Sequence, residues 1–206
     1  GSGSGSGSIP ARHGSASGDA PMRAALLLAL LFGAASVDAS DLLVWDFAID
    51  ESQVRNGPEP DGSTNSPGHG HGRVVFDPDR RELQVRIEFE ALVGELTKLH
   101  VHGPALAARS TQRHVIEFLG PPPVPPGLRA TRGVFEARIP LEATRQKDFP
   151  ALPPERVLEL LTSGRSYLNV HTDVFGKGEI RGNLGTPEIR SRKNEAAEET
   201  HVSPPD

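Results

Sequence analysis

The segment RELQVRIEFEALVG (residues 81–94) determines the fold class, because its apolar and polar side chains alternate strictly. The apolar set is Leu83, Val85, Ile87 and Phe89, and the polar set is Gln84, Arg86, Glu88 and Glu90. Successive side chains of a β-strand point to opposite faces, so this period of two indicates a strand with one face in the core. Such half-buried strands are typical of antiparallel sheets.

Similar short segments lie on both sides of this strand, separated by turn-rich stretches such as NGPEPDGSTNSPG and GPPPVPPG. One helix is predicted in LPPERVLELLTSG (152–164), where prolines precede an apolar pattern of helical spacing and a glycine ends it. Seven further strands are predicted at residues 42–49, 73–77, 96–102, 114–119, 133–139, 166–172 and 179–184. The sequence therefore predicts an all-β fold, an antiparallel Greek-key β-sandwich or barrel of about eight strands with one short helix.

Composition divides the 206 residues into four parts. Residues 1–21 begin with a Gly-Ser repeat and are interpreted as an upstream linker or a start assigned too early. Residues 22–39 have the pattern of a secretory signal peptide, with a basic residue, an apolar run and small residues before the cleavage position. Residues 40–187 form the predicted domain. The charged residues 188–206 contain almost no apolar side chains and are predicted to be a disordered tail.

The composition argues against several classes of function. The formal net charge of −5, without a basic cluster interleaved with aromatic residues, argues against nucleic-acid binding. The apolar run at 24–32 is shorter than the roughly 20 residues that span a bilayer, so no membrane span is expected after signal cleavage. The chain has no cysteine and no nucleophile-elbow, phosphate-loop or zinc-protease motif. A hydrolase is therefore not predicted, and any metal site must use nitrogen or oxygen ligands.

Histidines occur at alternating positions of the predicted strands. In LTKLHVHGPA (96–105), His100 and His102 leave the same strand face about 6.5 Å apart, close enough to share a metal ion. His171 lies on the polar face of SYLNVHT (166–172). In each strand the histidine face lies opposite the apolar face, so these three side chains are expected on an exposed surface.

The glycine-rich segment GHGHG (68–72) supplies two more candidate ligands, His69 and His71, because glycines give the backbone freedom to bring a side chain in. A flexible, solvated loop is the competing interpretation of these two residues.

Two interpretations of the histidines remain open. Three neutral imidazoles suit Cu(II), Zn(II) or Ni(II), and the Irving–Williams order favours copper. Alternatively, His100 and His171 donate hydrogen bonds to loop carbonyls at strand ends, and Glu179 forms a structural ion pair with Arg181. His114 has no partner at strand spacing and is interpreted as structural.

The pieces KLHVHGPA (98–105) and GRSYLNVHTDVFGKGEIRGNL (164–184) resemble the chordin-type CHRD domain. The resemblance covers roughly residues 42–184 and implies an extracytoplasmic β-sandwich. The order of a His-Val-His strand, a later Val-His strand and a near-C-terminal arginine is also similar, more weakly, to the copper site of copper–zinc superoxide dismutase.

Carried over to this chain, the similarity to the dismutase implies that His100, His102 and His171 are copper ligands. The residues expected to support these ligands or to guide an anion are Arg181, Glu179 and Asn169. No counterpart of the bridging histidine, the zinc-binding loop or the disulfide is found, so a dismutase-like redox reaction is left open and is not the leading expectation.

The leading expectation is a periplasmic or secreted CHRD-domain protein that binds a metal ion through a surface histidine cluster. Copper is the expected cofactor and zinc is the alternative. The competing expectation is a metal-free extracellular module that binds a protein or a surface polymer. The expected partners are thus a metal ion or an extracytoplasmic protein, and not nucleic acid.

Overall fold

The computed structural model describes residues 41–120, 124–125 and 128–192. These residues form eleven strands, one α-helix and a 3-10 turn at Glu51–Gln53. In chain order the elements are β1 (Asp41–Asp50), β2 (His69–Asp77), β3 (Glu82–Glu90), β4 (Leu96–His102), β5 (His114–Leu119), β6 (Gly133–Pro140), β7 (Thr144–Gln146), β8 (Phe149–Leu152), α1 (Pro154–Thr162), β9 (Tyr167–Thr172), β10 (Ile180–Asn183) and β11 (Glu188–Ser191). The all-β prediction is confirmed. Strands β7, β8 and β11 are additions that the sequence pattern did not indicate.

Nine strands form one antiparallel sheet, in which eight follow the order β5-β4-β9-β10-β1-β2-β3-β6 and the ninth, β11, pairs with β1. Strands β3 and β4 follow each other in sequence but lie near opposite ends of this order. Likewise, β6 pairs with β3 and does not pair with β5, which precedes it in the chain. Such crossovers are of the Greek-key kind. One apolar cluster contains Val115 of β5 and Phe135 of β6, so the sheet curls until both of its edges face a common core.

The predicted helix is confirmed as α1, which packs against this core. It starts at Pro154, where the missing N–H of proline costs nothing, and Gly164 follows its end with a positive φ of 68°. Its buried face consists of Val157, Leu160 and Leu161. Within the described ranges, no helix combines the length and the apolar character that crossing a bilayer requires.

The last strand, β11, corrects the predicted extent of the ordered chain. Glu188–Ser191 pairs antiparallel with the start of β1. The guanidinium of Arg192 then donates hydrogen bonds to both carboxylate oxygens of the buried Asp77, at 2.7 and 2.8 Å. Residues 188–192 are thus ordered, where the sequence predicted disorder from residue 188, because backbone pairing and an ion pair hold a segment whose one apolar side chain, Ile189, is exposed. The remaining tail (193–206) and the predicted linker and signal peptide lie outside the described residues.

Candidate metal centre

Strands β4 and β9 place the three predicted copper ligands on one face of the sheet. The two strands pair antiparallel, and directly opposed residues share a face. The opposed pairs on this face are His102 with Tyr167, His100 with Asn169 and Lys98 with His171. The apolar side chains of both strands point the other way, into the main core. The alternation of the sequence therefore predicted the faces correctly.

The three imidazoles converge. His100, His102 and His171 each offer a ring nitrogen, and these three nitrogens lie within 4.8 Å of one another. The ring centroid of His100 lies 5.8 Å from that of His102 and 4.9 Å from that of His171. We call these three residues the histidine triad. Nitrogens at this spacing can reach a common ion with small side-chain adjustments, since zinc–nitrogen bonds are about 2.0–2.1 Å long.

The expected exposure of the histidine triad is wrong, because its members are only 4% to 6% exposed. Two loops cover this face of the sheet, at residues 103–113 after β4 and 173–179 after β9. The first loop is held by Thr111, whose backbone N–H and carbonyl both bond the hydroxyl of Tyr167. The second loop is held by a hydrogen bond from the ring of His171 to the carbonyl oxygen of Gly176. Strand alternation shows which side chains share a face, but not whether a distant loop folds over them.

Most nitrogens of the histidine triad lack a hydrogen-bond partner among the described residues. Both ring nitrogens of His100, both of His102 and Nε2 of His171 are buried and unpartnered. Nε2 of His100 lies 3.5 Å from a carboxylate oxygen of Glu117, but the two atoms are not arranged as a hydrogen bond. An unsatisfied buried polar atom costs about 1–3 kcal/mol, so such a concentration requires an explanation. A coordinated metal ion is one, because it uses the imidazole lone pair directly.

Burial keeps these imidazoles neutral. It lowers the pKa of His100 to about 2 and that of His102 to about 3, and the neighbouring imidazoles add to both effects. The positive charge of Arg181 contributes further at His102, while the backbone of Thr111, which is near the ring but is not placed to form a hydrogen bond with it, opposes the effect. Burial also lowers the pKa of His171 to about 4. Neutral imidazole is the form that binds metal ions, so the histidine triad is ready to coordinate at neutral pH.

His171 is oriented by its second ring nitrogen. Its Nδ1 lies 3.0 Å from the carbonyl oxygen of Gly176. A carbonyl only accepts hydrogen bonds, so Nδ1 must carry the proton and the lone pair is on Nε2. Metal-binding histidines typically donate their other N–H to such an acceptor, which fixes the tautomer and the ring orientation. The hydrogen bond to a loop carbonyl, which the structural interpretation expected at both His100 and His171, is present at His171 only. It leaves Nε2 of His171 available.

The site contains two residues that the sequence analysis missed, His114 and Glu117. The ring centroid of His114 lies 4.1 Å from that of His100 and 4.8 Å from that of His102. One ring nitrogen each from His100 and His114 and one oxygen of Glu117 lie within 4.8 Å of one another. His114 therefore lies within the cluster, and the expectation that it lies outside is wrong.

A register shift between β4 and β5 explains why His114 was missed. His102 is opposite His114 and His100 is opposite Glu117, so the strand advances three residues while β4 advances two. The register shifts there, as in a β-bulge, which brings an odd and an even residue to the same face. Strict alternation places His114 and Glu117 on opposite faces. A bulge carries no reliable sequence signal, so pairing with β4 had to be seen.

Arg181 is buried beside the histidine triad. Its guanidinium donates to the carbonyl of Arg109 at 2.8 Å and to the side chain of Asn183 at 2.8 and 3.1 Å. Its central carbon lies 3.6 Å from the ring centroid of Tyr167, and the same ring stacks on His102 at 5.2 Å. Burial lowers the pKa of Arg181 to about 10, which leaves it charged at neutral pH. The predicted arginine thus reaches the site through Tyr167, which the sequence analysis did not include.

Glu179 and Asn169 support the loops around the site. The carboxylate of Glu179 accepts hydrogen bonds from the hydroxyls of Ser66 and Thr172, at 2.6 and 2.8 Å, and from the backbone N–H groups of residues 93 and 94. The ion pair with Arg181 that one interpretation of the sequence expected is therefore not what holds Glu179. Its carboxylate is held by neutral hydrogen-bond donors instead. Asn169 donates to the carbonyl of Lys177 at 2.8 Å.

His69 and His71 are not brought to the histidine triad. Both are exposed on β2, which is separated from β4 by three intervening strands. His69 pairs with Glu90 at 2.8 Å, and its pKa is raised by the carbonyl of Pro67 and by Glu90. His71 lies 3.6 Å from a carboxylate oxygen of Asp46. We therefore leave both out of the site.

Comparison with known proteins identifies the family of the chain. The family model of the CHRD domain matches residues 49–184, from the end of β1 to one residue beyond β10. No curated protein and no solved structure matches. The matched region covers more than half of the chain and contains every member of the histidine triad, so the protein belongs to the CHRD domain family.

Proposed function

We propose that this CHRD domain is an extracytoplasmic metal-binding domain whose histidine triad coordinates copper. The observation that carries the proposal is the convergence of His100, His102 and His171 with five buried ring nitrogens that have no partner among the described residues. Three neutral imidazoles form a set of ligands that is typical of transition-metal sites.

Metal binding explains the burial better than a structural role does. A structural histidine normally satisfies its ring nitrogens with hydrogen bonds, as His171 does through Nδ1. His100 and His102 satisfy neither of theirs among the described residues. Because each unpaired buried nitrogen is costly, retaining two such residues side by side favours a function that uses their lone pairs.

The type of ligand favours copper. The histidine triad offers nitrogen without sulfur, and for a given nitrogen site the affinity of divalent ions rises towards Cu(II). Zinc accepts the same ligands and is the alternative outcome of the experiment below. The region from 22 to 39, read as a signal peptide, supports export, and a function in copper handling outside the cytoplasm is consistent with it.

Titration of the purified chain with Cu(II) tests the proposal. The parent protein should bind one ion tightly. Replacing His102 with Ala removes one nitrogen ligand and should weaken binding by more than about tenfold, or about 1.4 kcal/mol. His69→Ala is the matched control, because it removes an exposed imidazole outside the histidine triad and should leave the affinity unchanged.

A parallel titration with Zn(II) identifies the preferred ion. Tighter binding of zinc than of copper would overturn the choice of copper but retain the metal centre. If the parent binds neither ion, or if His69→Ala and His102→Ala weaken binding equally, the metal centre is wrong. The metal-free interaction module would then be the better description of this domain.

A further inference from the structure

A second set of ligand atoms adjoins the histidine triad. It consists of His100, His114 and Glu117, with one nitrogen or oxygen of each within 4.8 Å of the others. We call this set the outer position. His100 belongs to both sets, and Nε2 of this residue lies 3.5 Å from Oε2 of Glu117.

The two sets differ in their exposure to solvent. Every member of the histidine triad is buried, whereas His114 is half-buried and Glu117 is exposed. His114 and Glu117 also line a cleft, together with Glu142 from the segment between β6 and β7 and Arg145 of β7. The outer position therefore lies between solvent and the buried imidazoles.

His100 is the independent observation that points to a ligand at the outer position. It is 96% buried, since only 4% of it is exposed, and neither of its ring nitrogens has a hydrogen-bond partner among the described residues. A ring that adjoins both sets with both nitrogens unpaired can serve an ion at either place. Two imidazoles and a carboxylate are also a familiar set of ligands for zinc and other divalent ions.

The outer position also supplies the negative charge that the histidine triad lacks. The three imidazoles of the triad are neutral, and the ammonium of Lys98 lies on the same face opposite His171. That positive charge acts on both His100 and His171, so it repels a divalent cation near these rings. The carboxylate of Glu117, directly opposite His100 on β5, offsets it.

From these observations we infer that His114, Glu117 and His100 form a second, solvent-facing metal position through which the ion reaches the histidine triad. The inference rests on the proposed function. An aqua ion first exchanges water for Glu117 and His114, then for His100, and finally exchanges the two outer ligands for His102 and His171. Every water or outer ligand that leaves the ion is replaced by a side chain of this chain, so the ion is never stripped of all its ligands at once.

Rapid-mixing measurements of Cu(II) loading test this inference on the full chain. Glu117→Gln removes the carboxylate charge and His114→Ala removes the outer imidazole, so each variant should load about tenfold more slowly, because local charge and ligands control association. The equilibrium affinity should fall far less than in His102→Ala, because all three ligands of the buried ion remain. Glu142→Gln is the matched control, since it removes an equal charge from the same cleft but not from the ligand set. It should load at the parent rate.

Three outcomes would overturn the inference. Loading at the parent rate in both Glu117→Gln and His114→Ala would show that the outer position is not used. Equal slowing in Glu142→Gln would show that only the general charge of the cleft matters. A loss of equilibrium affinity in His114→Ala as large as that in His102→Ala would make His114 a ligand of the buried ion instead. A parent protein that binds no ion would refute the proposed function itself. The equilibrium titration detects that outcome before any loading rates are compared.

Discussion

Histidine has opposite properties on two strands of this sheet. On β2, the pKa of His69 is raised by the carbonyl of Pro67 and by the exposed pair with Glu90. On β4, the pKa of His102 is lowered to about 3 because the residue is buried, and the neighbouring His114, His171 and Arg181 add to the effect. The same residue type is therefore a solvated base at one place and a buried, neutral imidazole at the other. Burial decides between the two, since desolvation disfavours the charged form.

These lowered pKa values predict how the metal-free protein responds to pH. In the unfolded chain, histidine takes up a proton below about pH 6.5. The folded histidine triad does not, because its pKa values lie at about 2, 3 and 4. The free energy of unfolding is therefore highest above the unfolded pKa of about 6.5. It falls as the pH decreases below that value, by up to about 1.4 kcal/mol per pH unit for each histidine, because the unfolded chain then binds more protons. Urea unfolding with a chelator present, at pH 7, 6 and 5, measures this slope.

Two variants isolate the contribution of the histidine triad to that slope. His102→Gln removes one of the buried bases and should reduce the slope. His69→Gln removes a base whose folded pKa is raised, so it should not reduce the slope. An unchanged slope in His102→Gln would contradict the neutral, buried state of this residue.

At the scale of elements, β11 shows how a charged segment becomes part of the fold. It has no buried apolar side chain, and it is held by backbone pairing to β1. The adjoining Arg192 donates to both carboxylate oxygens of Asp77, which is only 1% exposed. Asp77 also accepts hydrogen bonds from the backbone N–H groups of Asp79 and Arg80, but Arg192 supplies its two charge-assisted bonds, whose loss is costly for a buried carboxylate. The ion pair therefore anchors the strand to the end of β2.

Truncation after Pro187 should consequently destabilise the domain. The truncated chain loses the pairing of β11 with β1 and leaves Asp77 without Arg192. Arg192→Gln removes the ion pair alone and should lower the free energy of unfolding by about 2 kcal/mol at neutral pH, the usual range for hydrogen bonds to a charged group. Denaturant unfolding measures both variants.

The control for this prediction is Arg138→Gln, which breaks an exposed pair with Glu82 and should change stability by less than about 1 kcal/mol. The effect of Arg192→Gln should also depend on pH. The guanidinium lowers the pKa of Asp77 to about 2, so the stabilisation is full above the ordinary aspartate value and is lost as the pH falls towards 2. Equal stability of Arg192→Gln and the parent at neutral pH would show that the ion pair contributes nothing.

At the scale of the whole molecule, the proposed metal would join parts of the chain that are far apart in sequence. His100 and His102 belong to β4, while His171 belongs to β9, and both strands carry loops that fold over the site. The unfolded chain cannot hold the three imidazoles together. A metal ion that binds only the folded state must therefore stabilise the domain, by about 2.7 kcal/mol at a free concentration 100 times the dissociation constant.

Thermal unfolding with and without Cu(II) tests this linkage. The melting temperature of the parent should rise with copper concentration and return to its original value with a chelator. The double variant with His102→Ala and His171→Ala should show no such rise. Mg(II) should shift neither protein, because it prefers oxygen ligands. An equal rise in the double variant would place the copper elsewhere on the protein.

The fold and part of the site follow from local patterns in the sequence. The period of two in residues 81–94 predicted β3, and the same rule placed His100, His102 and His171 on the face opposite the apolar side chains. The prolines and the glycine around residues 152–164 predicted α1. Each of these features depends on neighbours within a few positions along the chain, which is why the sequence contains it in readable form.

The strands, the helix and the faces of the histidine-bearing strands could be predicted because they depend on spacing along the chain, and the family could be predicted from the motifs at residues 98–105 and 164–184. The tertiary structure was needed to show that the histidine face is buried, because loops 103–113 and 173–179 must fold over it. It also decided that His114 and Glu117 join His100, because bulges in β5 override strict alternation. Pairing across strands and coverage by loops are long-range properties, and no local period encodes them.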